Sequence, residues 1–120
     1  MKSINTIGAQ GDVVFQRVNE IPADARKVEQ GESYVVAHSE TGHHHVARPM
    51  PKASLEHFTT NNPLEDFLTL RGGDAIVEHQ RSYDTHETVK LLSKIDNAVT
   101  HYRVLRQRQS TPHGWSRVID

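Results

Sequence analysis

Three consecutive histidines, His43, His44 and His45, follow a glycine and form the densest group of metal-binding side chains in the sequence. A neutral imidazole can bind a metal ion through a ring nitrogen, and it can transfer a proton near neutral pH. Because successive side chains of a strand alternate between its faces, His43 and His45 share one face and His44 lies on the other. The spacing therefore predicts a metal or proton-transfer site built on His43 and His45.

A protein metal site usually needs a third or fourth ligand, and later histidines can supply it. His79 and His86 are the candidates, with Glu78, Asp84 and Glu87 as neighbouring carboxylates that could bind the ion or orient an imidazole. We expect the metal to be zinc or iron, because neutral imidazole binds both ions well. The predicted metal ligands are His43, His45, His79 and His86.

The residue types leave the reaction open, and they single out no catalytic residue. An ion with an open coordination position would hold water and act as a hydrolytic or oxidative centre. Alternatively, the histidines could lie on an exposed hairpin or at subunit contacts. Of the remaining histidines, His38 is expected to be half-buried behind Tyr34 and Val36, and His57, His101 and His113 are expected at the surface or at an interface.

The order of His43, His45 and His79 resembles that of cupins, which carry a His-x-His pair and a further histidine on a later strand. This resemblance implies a small β-barrel. Cupins also place a glutamate shortly after the pair, whereas Val46 and Ala47 follow it here. The turn before the later histidine also differs from the cupin pattern.

A second resemblance covers more of the chain. The stretch Gly42 to His45, the later histidines and the strand ending Gln107-Arg108 are similar to small bacterial and bacteriophage proteins of unassigned function. In those proteins a Gly-His-x-His turn precedes further histidines and a Gln-Arg-rich C-terminal strand. The resemblance implies no activity, but it supports the interpretation of the histidines as one set.

Composition narrows the class of protein. The chain has 120 residues, no cysteine and a formal net charge of −1, so neither a thiolate metal site nor a polycationic nucleic-acid binder is expected. It contains no apolar run of the roughly 18 residues that a membrane span requires. The N-terminus lacks a signal-like apolar stretch. We therefore expect a cytoplasmic protein, or a virion protein if a bacteriophage encodes it.

Short β-branched segments between turn signals predict an all-β fold, a small single-domain barrel or sandwich with at most one short helix. Residues 1–11 are expected to form a loose N-terminal arm. Residues 19–31 are the helical candidate, with an irregular turn as the alternative. Residues 66–70 and 75–80 flank Arg71-Gly72-Gly73-Asp74 and predict the clearest hairpin of the chain.

The loose arm, the balanced charge and a basic C-terminal strand suit a second class of function. They are typical of a structural or assembly protein, such as a bacteriophage virion component that forms homo-oligomers or docks on a larger protein assembly. The sequence does not decide whether the basic residues form a strip that binds phosphate or carboxylate. Its members would be Arg103, Arg106, Arg108 and Arg117.

Overall fold

The structure, a computed structural model, describes the backbone of residues 2–29, 34–37, 45–79, 88–93, 99–106, 108–111 and 114–117. Side chains are described for residues 2–29, 45–78, 88–93 and 99–106. Within these ranges the chain forms strands and no helix. The strands are β1 (Lys2–Ile4), β2 (Ile7–Gln10), β3 (Val13–Val18), β4 (Arg26–Lys27), β5 (Tyr34–Ala37), β6 (His45–Pro49), β7 (Ser54–Thr59), β8 (Glu65–Arg71), β9 (Ala75–His79), β10 (Val89–Leu91), β11 (Thr100–Arg106), β12 (Arg108–Thr111) and β13 (Gly114–Arg117).

The strands form two large open sheets and one two-stranded sheet. The five-stranded sheet has the order β1-β10-β9-β6-β5, and the six-stranded sheet has the order β2-β3-β11-β8-β7-β4. All pairings in these sheets are antiparallel except that of β1 with β10. The sheets do not close on themselves, so the fold is a sandwich rather than the barrel that the cupin resemblance implies.

One hydrophobic core joins the two sheets. Strand β8 contributes Leu68 and Leu70 from the six-stranded sheet, and β9 contributes Ala75 and Val77 from the other. Burial of each large apolar side chain contributes roughly 1.5–3 kcal/mol relative to exposure. Side chains of both sheets pack in this single cluster, which confirms the predicted all-β single domain. The buried cluster contains Ile4, Val13, Phe15, Ala47, Leu55, Leu68, Leu70, Ala75, Val77, Val89, Leu91, Tyr102 and Val104.

The helix predicted for residues 19–31 is wrong over its described part, residues 19–29. A turn forms instead, in which Ala25 N–H donates to the Pro22 carbonyl at 3.1 Å. The two residues of β4 then pair with β7, and Val28 N–H donates to the His57 carbonyl at 2.7 Å. These backbone groups bond to a neighbouring strand because Val28 packs against the core from that position.

The loose N-terminal arm predicted for residues 1–11 is also wrong. Residues 2–10 contribute one strand to each sheet, because β1 pairs with β10 and β2 pairs with β3. Ile4 is buried in the core at 1% exposure, which anchors the crossing between the sheets. Gly8 permits this packing, since a Cβ atom at that position would lie 2.7 Å from Cγ1 of Ile4.

The hairpin predicted across Arg71-Gly72-Gly73-Asp74 does not form. Strand β8 pairs with β7 and β11, whereas β9 pairs with β6 and β10 in the other sheet. Gly72, with a φ of 78°, turns the chain from one sheet to the other rather than back alongside β8. The local turn signal was correct, but hydrophobic burial in two sheets decided which strands pair.

Strand β6, which begins at His45, pairs with β5 on one side. Tyr34, Val35 and Ala37 of β5 pair with Ala47, Val46 and His45 of β6, with a register shift between Val35 and Ala37. Strand β6 pairs on its other side with β9, so it is an interior strand of its sheet. This position explains why His45 is buried.

Candidate functional site

His45 and the backbone of His79 lie at one end of the sandwich. His45 begins β6, and it pairs with Ala37 at the end of β5 and with His79 at the end of β9. The connection of residues 38–44, which contains His43, therefore starts and finishes at this end. The connection from His79 to β10, which contains His86, also starts here, since Val77 pairs with Val89.

His45 is held by a buried amide. Its side chain is 1% exposed, and Nδ1 lies 2.8 Å from Oε1 of Gln10. Gln10 is 2% exposed, and its Nε2 donates to the Val77 carbonyl at 2.9 Å. A carbonyl oxygen can only accept, so the amide nitrogen of Gln10 must face Val77 and its oxygen must face His45. Nδ1 of His45 is therefore the donor, and in the neutral imidazole Nε2 carries the ring lone pair.

The lone pair of His45 faces a carboxylate. Nε2 lies 3.7 Å from Oδ1 of Asp12, a residue that is 8% exposed. This separation is too long for a direct N–H···O hydrogen bond. When two ligand atoms bind the same ion at about 2.0–2.2 Å in tetrahedral geometry, the two atoms lie roughly 3.4 Å apart. The distance between Nε2 and Oδ1 therefore matches two ligands of one cation better than a direct hydrogen bond.

Tertiary packing positions all three side chains. Gln10 ends β2, Gly11 and Asp12 form the turn, and Val13 begins β3, with Gln10 paired to Val13. Gly11 adopts a φ of 60°, the left-handed conformation that glycine tolerates best. The turn lies beside the start of β6, where Gln10 reaches both β6 and β9. One short turn therefore supplies both the group that orients His45 and the carboxylate that faces it.

The structure describes only part of the predicted ligand set. His45 is fully described, the backbone of His79 lies opposite it in register, and His43 and His86 lie outside the described residues. Among the described side chains, no group of three or more histidine and acidic residues could hold a metal ion. The described part of the site therefore consists of His45 and Asp12, with Gln10 behind them.

A second buried histidine–carboxylate pair lies on the core-facing side of the six-stranded sheet. Nε2 of His57 lies 2.9 Å from Oδ2 of Asp66, and His57 is 4% exposed. The prediction that His57 lies at the surface is therefore wrong. His101 is half-buried, and its Nδ1 lies 2.9 Å from the Thr69 hydroxyl. Strand β7 ends and β8 begins at the same end of this sheet as the start of β3, so His57 and Asp66 lie towards the Asp12 turn.

Sequence patterns gave no signal for Gln10 or Asp12 as site residues. Gln10 contacts His45 across 35 residues of chain, and Val77 across 67. Glutamine at a strand end and aspartate in a turn are common wherever chains reverse direction. Only the packing of β2 against β6 and β9 makes them part of a histidine site.

Two of the four basic residues considered for a strip, Arg103 and Arg106, bond to other groups of the domain. Nε of Arg103 donates to Oε2 of Glu65 at 2.5 Å, while the guanidinium of Arg106 donates to the Pro63 carbonyl. Arg108 and Arg117 occupy opposite positions of the separate β12–β13 pair.

The described residues also contain no helix that could span a membrane.

The fold and this cluster define an all-β sandwich with a buried histidine, carboxylate and amide beside the histidine-bearing connections. Comparison with protein families assigns residues 9–107 to a domain of unknown function (DUF8820), and the chain belongs to that family. The matched range contains the Gln10–Asp12 turn and all four predicted histidine ligands. No curated protein and no solved structure gives a significant match.

Proposed function

We propose that this protein binds a divalent transition metal, zinc or iron, at the His45 end of the sandwich. The observation that carries the proposal is the orientation of His45. Gln10 accepts the proton of Nδ1, so the lone pair of Nε2 faces the carboxylate of Asp12 at 3.7 Å. A positive charge between these atoms, from a bound metal or from a proton on Nε2, offsets the cost of burying the carboxylate, and the 3.7 Å separation favours the metal.

The hydrogen bond to Gln10 is typical of metal-bound histidine. Such a residue donates its second ring N–H to a carbonyl or carboxylate, which fixes the tautomer and directs the other nitrogen at the ion. A proton shared between Nε2 and Asp12 would instead favour a separation below about 3.2 Å. The proposal therefore assigns His45 and Asp12 as ligands and Gln10 as the residue that orients His45.

Further ligands would come from the histidines of the predicted set. His79 occupies the register position opposite His45, and residues at such positions have Cβ atoms about 4.5–5.5 Å apart. His43 and His86 belong to the two connections that begin at this end of the five-stranded sheet. A mixed imidazole and carboxylate set suits zinc and iron. A water ligand would make the ion a hydrolytic or oxidative centre.

Metal analysis of the purified protein tests this proposal. We expect one zinc or iron per chain, and Asp12→Asn should lower the occupancy because the amide supplies no negative charge. Asp24→Asn is the matched control, since Asp24 is an exposed residue in the turn before β4, whereas Asp12 is buried. Circular dichroism should show that both variants are folded. A wild-type protein that takes up no metal after incubation with zinc or ferrous iron would refute the proposal.

A subunit of a homo-oligomer is the second candidate, supported by the edge of the six-stranded sheet. Ile7 on edge strand β2 is 61% exposed, and an exposed edge with an apolar side chain can pair with another copy. Lys2 Nζ donates to the Ala9 carbonyl at 3.2 Å, which covers part of this edge. The mass of the protein in solution separates the two candidates. If copies associate through β2, the wild type is an oligomer and the Ile7→Thr variant should dissociate. A wild-type protein that is monomeric and carries metal favours metal binding alone.

A further inference from the structure

A cavity lies at the other end of β6 from His45. Its volume is about 530 Å³, within the range of roughly 300–1,000 Å³ that small-molecule sites occupy. The wall consists of the end of β6, the connection to β7 and the first residues of β7. The lining residues are Arg48, Pro49, Met50, Pro51, Lys52, Ala53, Ser54 and Leu55.

The wall of this cavity is rigid. Met50 N–H donates to the Asp74 carbonyl at 2.9 Å, and Ala53 N–H donates to the Met50 carbonyl at 3.0 Å. Proline restricts the backbone at Pro49 and Pro51. The cavity is therefore largely formed before any ligand binds, which reduces the entropy lost on binding.

Lys52 occupies a strained position in this wall. It follows Pro51 at the third position of the Met50–Ala53 turn and has a φ of 71°. That position of a type II turn strongly favours glycine or asparagine, and another residue there costs on the order of 1–3 kcal/mol. Lys52 lines the cavity in spite of this backbone strain.

The charges of the cavity are positive. Arg48 forms an ion pair with Glu78 outside the lining, whereas none of the ion pairs between described residues involves Lys52. The lining contains no acidic residue, and its other members are apolar apart from Ser54. An apolar wall with one available cation matches a ligand with a hydrocarbon body and a single negative charge.

We propose that this cavity binds a small amphipathic carboxylate, with the carboxylate at Lys52 and the hydrocarbon against Pro49, Met50 and Leu55. The ammonium group would form a charge-assisted hydrogen bond with the carboxylate, a stronger contact than a bond between neutral groups. The site lies apart from His45 and does not depend on the proposed metal.

Titration with octanoate, followed by amide chemical shifts, tests this proposal. We expect shifts concentrated in residues 48–55 of the wild-type protein. Lys52→Asn removes the charge but keeps a residue that tolerates the left-handed backbone, and it should weaken octanoate binding at least about tenfold. Arg26→Gln is the control, since Arg26 is an exposed cation outside the cavity lining.

Octanol provides a second control because it has the same hydrocarbon chain without the charge. It should bind more weakly than octanoate, and Lys52→Asn should leave its affinity unchanged. Octanoate shifts outside residues 48–55, or an octanoate affinity that survives Lys52→Asn, would overturn the proposal. Equal losses in Lys52→Asn and Arg26→Gln would do so as well, since that pattern reflects only overall charge.

Discussion

Oε1 of Gln10 lies 2.8 Å from Nδ1 of His45, and this contact fixes which nitrogen of the buried imidazole carries a proton. Nε2 of the Gln10 amide donates to the Val77 carbonyl, so the amide cannot rotate without losing both hydrogen bonds. In the neutral imidazole the lone pair of Nε2 consequently faces Asp12. The chemistry of the histidine run is thus set by a residue that precedes it by more than thirty positions.

Replacement of Gln10 by methionine should weaken both folding and metal binding. The methionine fills a similar volume but leaves the His45 N–H and the Val77 carbonyl without this partner. Loss of buried hydrogen bonds costs about 1–3 kcal/mol of unfolding free energy, measured by urea denaturation. Loss of the group that orients a metal ligand typically lowers metal affinity 10–100-fold.

The exposed Gln16 provides the matched control for this variant. Gln16→Met should change neither the unfolding free energy beyond about 0.5 kcal/mol nor the metal affinity. If Gln10→Met loses stability yet binds zinc as tightly as the wild type, Gln10 serves the fold but not the metal site.

Tyr102 should make the protein less stable at high pH. Its side chain is fully buried, and burial raises its pKa above the ordinary value of 10.0, although Arg17 opposes the shift. Above about pH 10 the unfolded chain loses the phenol proton while the folded chain retains it, so the unfolding free energy falls as pH rises through the folded pKa. Urea denaturation between pH 8 and pH 11 measures this slope.

Tyr102→Phe should remove this contribution to the pH dependence. The hydroxyl oxygen lies 2.6 Å from the Leu92 carbonyl and 2.9 Å from the Ile4 carbonyl, which share its single proton, so the variant should also lose about 1–3 kcal/mol at pH 8. An unchanged slope above pH 10 in the variant would assign the pH dependence to other groups.

Glu56 should contribute a small stabilisation that disappears in acid. The hydrogen bond from Arg71 lowers its pKa below the ordinary value of 4.5, and Lys27 acts in the same direction. Because the folded pKa is depressed, the stabilisation is present above about pH 4.5 and is lost as pH falls through the folded pKa. Glu56→Gln should cost less than about 1 kcal/mol at pH 7, since the pair is partly exposed to solvent.

The pH dependence of this variant distinguishes the ion pair from a packing effect. The difference in unfolding free energy between wild type and Glu56→Gln should shrink between pH 6 and pH 3. A difference that stays constant over this range would show that the charge of Glu56 does not stabilise the fold.

Glycine in place of Lys52 should stabilise the protein. Relief of the positive φ outweighs the greater freedom of glycine in the unfolded chain, so we expect a gain of about 1 kcal/mol in unfolding free energy. Lys52→Ala is the control, because alanine keeps the strain and should give no such gain. Equal stability of the two variants would indicate that the turn carries no strain at Lys52.

The sequence was sufficient to predict the class of fold and most strands. The strands predicted for residues 66–70 and 75–80 rest on local patterns, and β8 and β9 formed there. Which strands pair with each other could not be predicted from the local sequence. The turn at Gly72 favours a hairpin, yet β8 and β9 belong to different sheets because each fills one side of a shared core.

The site was predictable only in part for the same reason. The spacing of His43 and His45 indicated a strand face, and the register places His79 opposite His45. Asp12 and Gln10 join His45 through packing between sheets, which no local periodicity reports. The burial of His57 against Asp66 was missed because the polarity of histidine favours a surface position.

The most direct test of the metal proposal is nitrogen NMR of the His45 ring during titration of metal-free protein with zinc. We expect Nδ1 to keep its proton throughout, while the resonance of Nε2 moves to the position of a zinc-bound nitrogen at one equivalent of zinc. Asp12→Asn should weaken that response. An Nε2 resonance that does not change with zinc would refute metal binding by His45, and a zinc-bound Nδ1 would refute the role assigned to Gln10.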